Sequence, residues 1–408
     1  MAVKLGRRAF LAGVAATALP MPAIAQSAPV KIGLLTVKTG PLAEGGIQME
    51  QGIVTFLKEK NYKLAGRKVD FISADTGGSP AGAKTQAQQL IERDKVDVIM
   101  GPLAAFELLA ISDYVAAHKT PMMSLAGADD MTQRKPNPYF IRASATSSQA
   151  TQPLGDYAAK EMGLKRVVTI VEDFAFGYEQ IGGFQRVFED NHGCVTKKLW
   201  PPLTAADYTP YIAQFGDVDG VMQGFAGSNP VKFMNQYASM GMKKPVIGGE
   251  TAADDALLKS FSDDAVGLIS ACPYTMDLDN DANHRFVADF TKAYGNIPGF
   301  YAAGLYVNGQ VVEAGLKKVD GNPSNREAFI KALRGVSLTE TPRGPISFDH
   351  LGNVIGNIYI RRVEKQNGKL VNHTIKTYEK VSQFWTFPEK WFLAQPVYSR
   401  DYPALTKC

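Results

Sequence analysis

Cysteine, histidine and long apolar runs are all scarce in this sequence, and each scarcity narrows what it can be. Only Cys194, Cys272 and Cys408 occur in 408 residues. A dense disulfide scaffold is excluded, and the odd count leaves at least one thiol unpaired within the chain. A Cys194–Cys272 bond is one pairing open to it, and a chain this long buries a sufficient core without staples. The five His residues do not cluster and no Cys–His metal spacing occurs, so no metal site is expected. No later segment holds 18 consecutive apolar residues, so no membrane-spanning helix is expected. A surplus of one charge is lacking too. The formal net charge is +4, but residues 1–25 hold Lys4, Arg7 and Arg8 and no acid, and the rest carries 41 basic against 40 acidic residues. That balance gives no bulk attraction to nucleic acid or an anionic membrane.

The usual tools of an enzyme are missing. There is no G-x-G-x-x-G after the first strand, no P-loop, no H-E-x-x-H and no G-x-S-x-G elbow. Asp129-Asp130, Asp254-Asp255 and Asp263-Asp264 are adjacent pairs. Helix neighbours do not face each other, so they read as solvated or capping carboxylates. The expectation is no enzyme, no catalytic residue and no cofactor.

What is present begins with an address. Arg7-Arg8, the apolar run Phe10–Leu19 and the small-x-small site Ala23-Ile24-Ala25 read as an export signal cleaved after Ala25. Gly6-Arg7-Arg8-Ala9-Phe10-Leu11 resembles a twin-arginine signal; a Sec signal with two arginines is the alternative. No Cys lies near the cleavage site to anchor a lipid. The mature protein is expected to be soluble, in the periplasm of a bacterium with two membranes.

The remaining length suits two or three domains. Short apolar runs at Val30–Thr36, Val69–Ala74, Val96–Met100 and Pro121–Leu125 alternate with helical patterns at Glu44–Lys60, Ser79–Glu92 and Leu103–Ala117. The rhythm restarts with strands at Val167–Val171, Val195–Trp200, Val218–Gln223, Val246–Gly248 and Val266–Ser270, and helices at Gly177–Asn191, Tyr208–Phe215 and Asn229–Met240. Helices at Asn283–Tyr294, Phe300–Lys317 and Asn325–Leu333 follow, with late strands at Ile346–Phe348 and Ile358–Val363. Apolar strands alternating with helices make parallel sheets covered on both faces. The fold expected is α/β, two similar lobes joined by several crossings. The tail from Phe384 to Tyr402 carries seven aromatic residues and is expected to dock on a lobe.

First-lobe strands end in small residues: Gly40-Pro41, Gly77-Gly78, Gly101-Pro102 and Ala126-Gly127-Ala128. Ligands of open α/β sheets bind beyond the carboxyl ends of strands, and small residues there bare N–H groups and helix N-termini to a small anion or polar ligand. That is equipment for holding a molecule rather than cutting one.

These features resemble the periplasmic leucine/isoleucine/valine-binding protein family, the type I solute receptors of ABC importers. The likeness runs through Lys31-Ile32-Gly33-Leu34-Leu35, Thr39-Gly40-Pro41-Leu42-Ala43, Val96–Pro102, Tyr139-Phe140-Ile141-Arg142, Asp207-Tyr208-Thr209-Pro210 and Gly344–Asp349. It implies two Rossmann-like lobes with parallel-type sheets joined by three hinge crossings, near 143–146, 271–276 and 355–362. Lobe one would hold 30–145 and 275–357, lobe two 146–274 and 358–383, with 384–408 as the tail. The lobes would close on a small solute and dock, as a monomer, on a membrane permease.

The resemblance also implies the site. Ala104, Ala105 and Phe106 stand in the turn after the third strand, where a Ser hydroxyl often holds the ligand carboxylate. Ala126, Gly127 and Ala128 stand in the next turn, again without a hydroxyl. Glu250 matches the acid that pairs with an amino-acid ammonium; Phe176 replaces a usual Tyr; Phe225 and Tyr301 match cleft aromatics. Leu42 lies in the first turn, and Gly45 stands where a Trp is common. Glu250 argues for a donor on the ligand. The lost hydroxyls, with Phe106 and Gly45, argue for a larger, more apolar solute. An amino acid, an amide and an aromatic acid all remain open. So do a ligand-sensing partner of a membrane receptor and an exported enzyme on the same fold.

Overall fold

A computed structural model describes residue 1 and residues 28–408. The expected export signal and its cleavage after Ala25 fall outside the described residues. No described helix is long and apolar enough to cross a membrane.

Two sheets organise the chain. The first runs in the order Lys63–Leu64, Arg67–Asp75, Val30–Thr36, Val98–Met100, Met122–Met123, Phe140–Ile141. All its pairs are parallel except the hairpin at Lys63–Leu64. Val30–Thr36 is buried at nearly every position, which is why that stretch is an unbroken apolar run. The second sheet orders Ile346–Phe348, Val354–Gln366, Ile269–Cys272, Val246–Gly248, Gly220–Gly224, Arg166–Val171 and Cys194–Leu199, with Lys369–Val381 paired to Val354–Gln366. Its five strands from Ile269–Cys272 to Cys194–Leu199 are parallel. The long hairpin closes its edge antiparallel.

In each sheet the chain steps first to one side of its opening strand and then to the other. The first sheet reverses between Val30–Thr36 and Val98–Met100, the second between Arg166–Val171 and Gly220–Gly224. A crevice opens at such a reversal, beyond the carboxyl ends of the strands, and here the two crevices face each other. The chain passes between the lobes three times. Ala143, Cys272 and Val354 pack in the first core. Ala145, Ala271 and Ile358 pack in the second. The third passage is made inside one strand, at a register shift between Gly356 and Ile358.

Buried guanidinium groups brace these passages. Arg343 Nη1 donates to the carbonyls of Ala143 (2.6 Å) and Ser144 (2.5 Å). Arg142 donates to the carbonyl of Ala126 (3.1 Å) and to Asn353 Oδ1 (2.9 Å). Arg361 pairs with Asp255 at 3.1 Å, both fully buried.

The tail lies along the helix Ala175–Asp190. A Cβ on Gly182 would stand 2.1 Å from the Tyr398 ring, so glycine is what lets that ring settle. Arg186 lies within 5.1–6.0 Å of the ring centres of Phe387, Trp391, Tyr398 and Tyr402. The tail also touches the first lobe, where Arg134 donates to the carbonyls of Gln395 (2.8 Å) and Phe392 (3.3 Å). The disulfide corrects the pairing considered from sequence: Cys194 bonds Cys408, Cα atoms 5.7 Å apart, while Cys272 is free and buried. Cys272 lies in the central strand Ile269–Cys272, whereas Cys194 opens an edge strand within reach of the returning tail.

Candidate functional site

The facing strand ends enclose a gap of about 380 Å³, with Leu42, Leu103, Ala104, Ala105, Leu125, Ala126, Gly127, Phe300 and Tyr301 from the first lobe. Phe174, Phe176, Ala226, Glu250 and Thr251 come from the second. The lobes are drawn together, and the gap between them is narrow. A wider hollow of about 780 Å³ beside Met234, Tyr237 and Lys243 lies at the amino ends of the second-lobe strands, away from this gap.

Four rings supply most of the apolar wall. Phe174 stacks on Phe176 with centres 5.8 Å apart, and Phe300 meets Tyr301 edge-on at 5.1 Å. Phe106 stands just outside, half-buried, edge-on to Phe174 at 5.3 Å across the lobe boundary. Gly45 touches the back of the wall. A Cβ there would lie 2.9 Å from Tyr301 and 3.1 Å from Leu103, so a side chain at 45 would push Tyr301 into the gap.

One end of the gap is a helix start. The helix Ala105–Ala117 follows Ala104, whose methyl group can accept nothing. The first amides of a helix have no intrahelical acceptor. Among the described residues those of Ala105, Phe106 and Gly127 also find none elsewhere in the protein. Glu107 turns back, accepting from Ala104 N (3.1 Å) and the Thr76 hydroxyl (2.5 Å). Burial pushes its carboxyl up, against the two hydrogen bonds it accepts.

The other end is acidic. Glu250 is buried, and Gln180 Nε2 donates to its Oε2 at 3.2 Å. Burial, reinforced by Asp129, pushes its pKa up to about 8 against the pull of Arg361 and Arg142. At neutral pH it is mostly a carboxylic acid, able to donate as well as accept. The Thr251 hydroxyl donates to the Phe225 carbonyl at 2.6 Å and keeps lone pairs to offer. No Lys or Arg is among the lining residues.

The structure thus brings together Leu42, Ala104, Ala105, Ala126, Gly127, Phe176, Glu250 and Tyr301. Four of the residues named from sequence are not on the lining: Phe106 and Gly45 lie against it, and two lie elsewhere. Phe225 is wholly buried in the second core, with ring centres 4.9 Å from Tyr208 and 5.2 Å from Phe233. The next residue, Ala226, lines the gap instead. Ala128 is also off the wall, its carbonyl accepting from Arg142 Nη2 at 2.5 Å. Phe174, Phe300, Leu103, Leu125 and Ala226 were not singled out from sequence. For Phe174 and Phe300 the signal was there: each neighbours a named ring in a strand-end or helix-start turn.

Comparison with known proteins places the chain in a family. Residues 29–369 match the family model described as periplasmic binding protein, and the chain belongs to that family. "Leu/Ile/Val-binding protein homolog 6" of Brucella melitensis is 28% identical over 385 residues, 90% of this chain and 97% of that one. A solute-binding protein of an ABC transporter from Rhodopseudomonas palustris BisB5, solved with 3,4-dihydroxybenzoic acid, is 32% identical. The match covers 87% of this chain and 98% of that one, with a TM-score of 0.83. Another from R. palustris, solved with 4-hydroxybenzoate, is 27% identical over 88% and 99% of the two chains, TM-score 0.82.

Proposed function

We propose that the protein is the periplasmic solute receptor of an ABC importer, and that its ligand is a small aromatic carboxylate. The observation that carries this reading is the pairing, in one ring-walled gap, of unclaimed amides at one end with a buried Glu250 at the other, its pKa pushed up to about 8. A benzoate-like carboxylate suits the amides of Ala105, Phe106 and Gly127. Its ring would lie against Phe174, Phe176, Phe300 and Tyr301 once the lobes part to admit it, where offset or edge-on contact adds to area burial. A ring hydroxyl suits Glu250 and Thr251. The two R. palustris relatives solved with hydroxylated benzoates support the choice.

The lobes, 30–145 with 275–357 and 146–274 with 358–383, swing about the three crossings and close on the solute. The closed monomer then docks on a membrane permease. A micromolar affinity, about −8 kcal/mol, suits scavenging. A second reading keeps an amino acid as ligand, favoured by a carboxyl at position 250 and by the Brucella relatives.

Thermal shift and calorimetry test the proposal with benzoate, 4-hydroxybenzoate and 3,4-dihydroxybenzoate against leucine, isoleucine and valine. Ligand at a hundredfold excess over Kd stabilises by about 2.7 kcal/mol, easily seen. Stabilisation by aromatic acids alone supports the proposal. Stabilisation by amino acids alone installs the second reading. No response to either class rejects both ligands. Unchanged affinity in Glu250→Ala removes the second-lobe site.

A further inference from the structure

Two carboxyl groups of the second lobe accept from backbone N–H groups of the first. Glu179 Oε1 accepts from Asp129 N at 2.9 Å. Asp254 Oδ2 accepts from Phe300 N at 2.9 Å, while its Oδ1 accepts from Ala256 N in its own turn at 3.0 Å. Phe300 is the first residue of the first-lobe helix Phe300–Lys317, and the residue before it, Gly299, has no side chain to cap it. Helix-start amides need an outside acceptor, and the positive end of the helix favours a carboxylate. The acceptor here comes from the opposite lobe.

Space for it has been left. A Cβ on Gly299 would stand 1.9 Å from Asp254 Oδ1. The backbone of Gly299, φ −107° and ψ −167°, is extended and open to any residue, so room and not conformation calls for glycine. Asp254 is itself held in place, because Arg361 Nη2 donates to the carbonyls of Ala253 (3.1 Å) and Glu250 (3.3 Å) on its turn. Asp254 is not part of the ligand wall, yet its partner Phe300 and the next residue, Tyr301, are.

We propose that Asp254 is a closure latch. It caps the helix Phe300–Lys317 only when the lobes are together, and so sets the closed population, and through it ligand affinity, without touching the ligand. The inference rests on the solute-receptor reading. When binding requires a minor closed form, apparent affinity falls by the factor lost from that form. A hydrogen bond to a charged group is on the scale of roughly ten- to hundredfold.

The test uses spin labels at exposed Lys84→Cys and Lys259→Cys, one per lobe, with Cys194 and Cys408 bonded and Cys272 buried. Interlobe distances are measured without ligand, and 4-hydroxybenzoate dissociation is followed by stopped flow. Asp254→Ala is expected to deplete the closed distance and speed dissociation by roughly ten- to hundredfold. Asp254→Asn, which keeps an acceptor oxygen, recovers most of the loss. Gly299→Ala, which wedges the same contact from the other lobe, reproduces the defect and stands in should Asp254→Ala fail to fold. If 4-hydroxybenzoate does not bind the parent protein, the ligand reading fails and the distances decide alone. A closed fraction that falls in both variants supports the latch. Distances and dissociation unchanged in Asp254→Ala and Gly299→Ala overturn it.

Discussion

The sign of the pH dependence of binding separates an aromatic acid from an amino acid as ligand, because the two need opposite forms of Glu250. Its carboxyl sits at about 8 instead of the ordinary 4.5, raised chiefly by burial. At pH 6 about one molecule in a hundred is ionised there, at pH 8 about half. A carboxylate ligand needs the neutral form. Its affinity is expected to be flat within about twofold from pH 6 to 8 and then to fall roughly tenfold per pH step. An ammonium-bearing ligand needs the ionised form, and its affinity would climb about fiftyfold from pH 6 to 8. Glu250→Gln mimics the neutral acid. It is expected to bind benzoate at pH 7 within about threefold of the parent and to lose the fall above pH 8, whereas an ammonium partner would cost 250Gln roughly 1.5–3 kcal/mol. The same shift bears on stability. A carboxyl raised on folding contributes stability that is fully present below about pH 4.5 and lost as pH rises through about 8. The loss is about 1.4 kcal/mol per pH step, about 5 kcal/mol over the window. Parting the lobes wets Glu250 and caps that loss, so urea melts should show less than the full figure and Glu250→Gln should flatten the slope. Isothermal calorimetry of benzoate from pH 5.5 to 9.5, on parent and Glu250→Gln, decides. Benzoate affinity that rises from pH 6 to 8, or a tenfold loss in Glu250→Gln at pH 7, would refute the neutral-acid reasoning.

Three further outcomes are expected. Cys408→Ser opens a disulfide spanning 214 positions, a loop worth up to about 5 kcal/mol in chain entropy; melting should drop by several degrees with ligand affinity within twofold, and an unchanged melting point would show that the tail's rings alone hold it. Arg361→Met leaves Asp255 buried without its partner, so denaturant melts should lose about 3–5 kcal/mol; a loss under 1 kcal/mol would mean that Asp255 simply protonates, in keeping with its carboxyl pushed up to about 7 by burial. Gly227→Ala would place a Cβ 2.0 Å from the Pro41 carbonyl across the gap, at a φ of +59°; ligand affinity should fall more than tenfold while the ligand-free protein loses only about 1 kcal/mol, and normal binding would show that the lobes need not approach this far.

The parallel strands were legible because burial on both faces writes itself as an apolar run; Val30–Thr36, Val246–Gly248 and the helix Phe300–Lys317 fall where the pattern puts them. The helix Ser147–Lys160 was not legible. It carries Ser147, Ser148, Gln149, Thr151 and Gln152, all buried, so no apolar stripe marks a face. What does mark it is the reciprocal cap at its start, with Gln149 N on Thr146 Oγ1 and Thr146 N on Gln149 Oε1, both 3.0 Å. The strand Lys369–Val381 escaped for the opposite reason, since its outer face is solvated and no parallel partner demands apolar residues there. Phe225 falls off the wall because its ring turns into the second-lobe core against Tyr208 and Phe233, a direction its residue type does not show. The disulfide escaped because its partners are 214 positions apart, and only the path of the tail over the helix Ala175–Asp190 joins them.

The exchange of hydroxyls for alanine at the first-lobe turns looks at first like a loss of binding capacity, and the local chemistry argues otherwise. A Ser or Asp at position 104 would accept from the amides of the first helical turn itself. Ala104 cannot, so those amides stay available to a ligand, and Glu107, the one acid at that end, spends its oxygens on Ala104 N and Thr76. At the far end Glu250 is made neutral by the same burial that shapes the gap. The gap thus holds no basic side chain and one acid that is mostly neutral near pH 7, with positive potential concentrated in backbone dipoles at one pole. A ligand that brings one negative charge and one ring meets both features at once. A zwitterion must first ionise Glu250 to pair its ammonium, at a cost of about 1.4 kcal/mol at pH 7 for a carboxyl at about 8, and that cost is the handicap the proposed preference for an aromatic acid rests on.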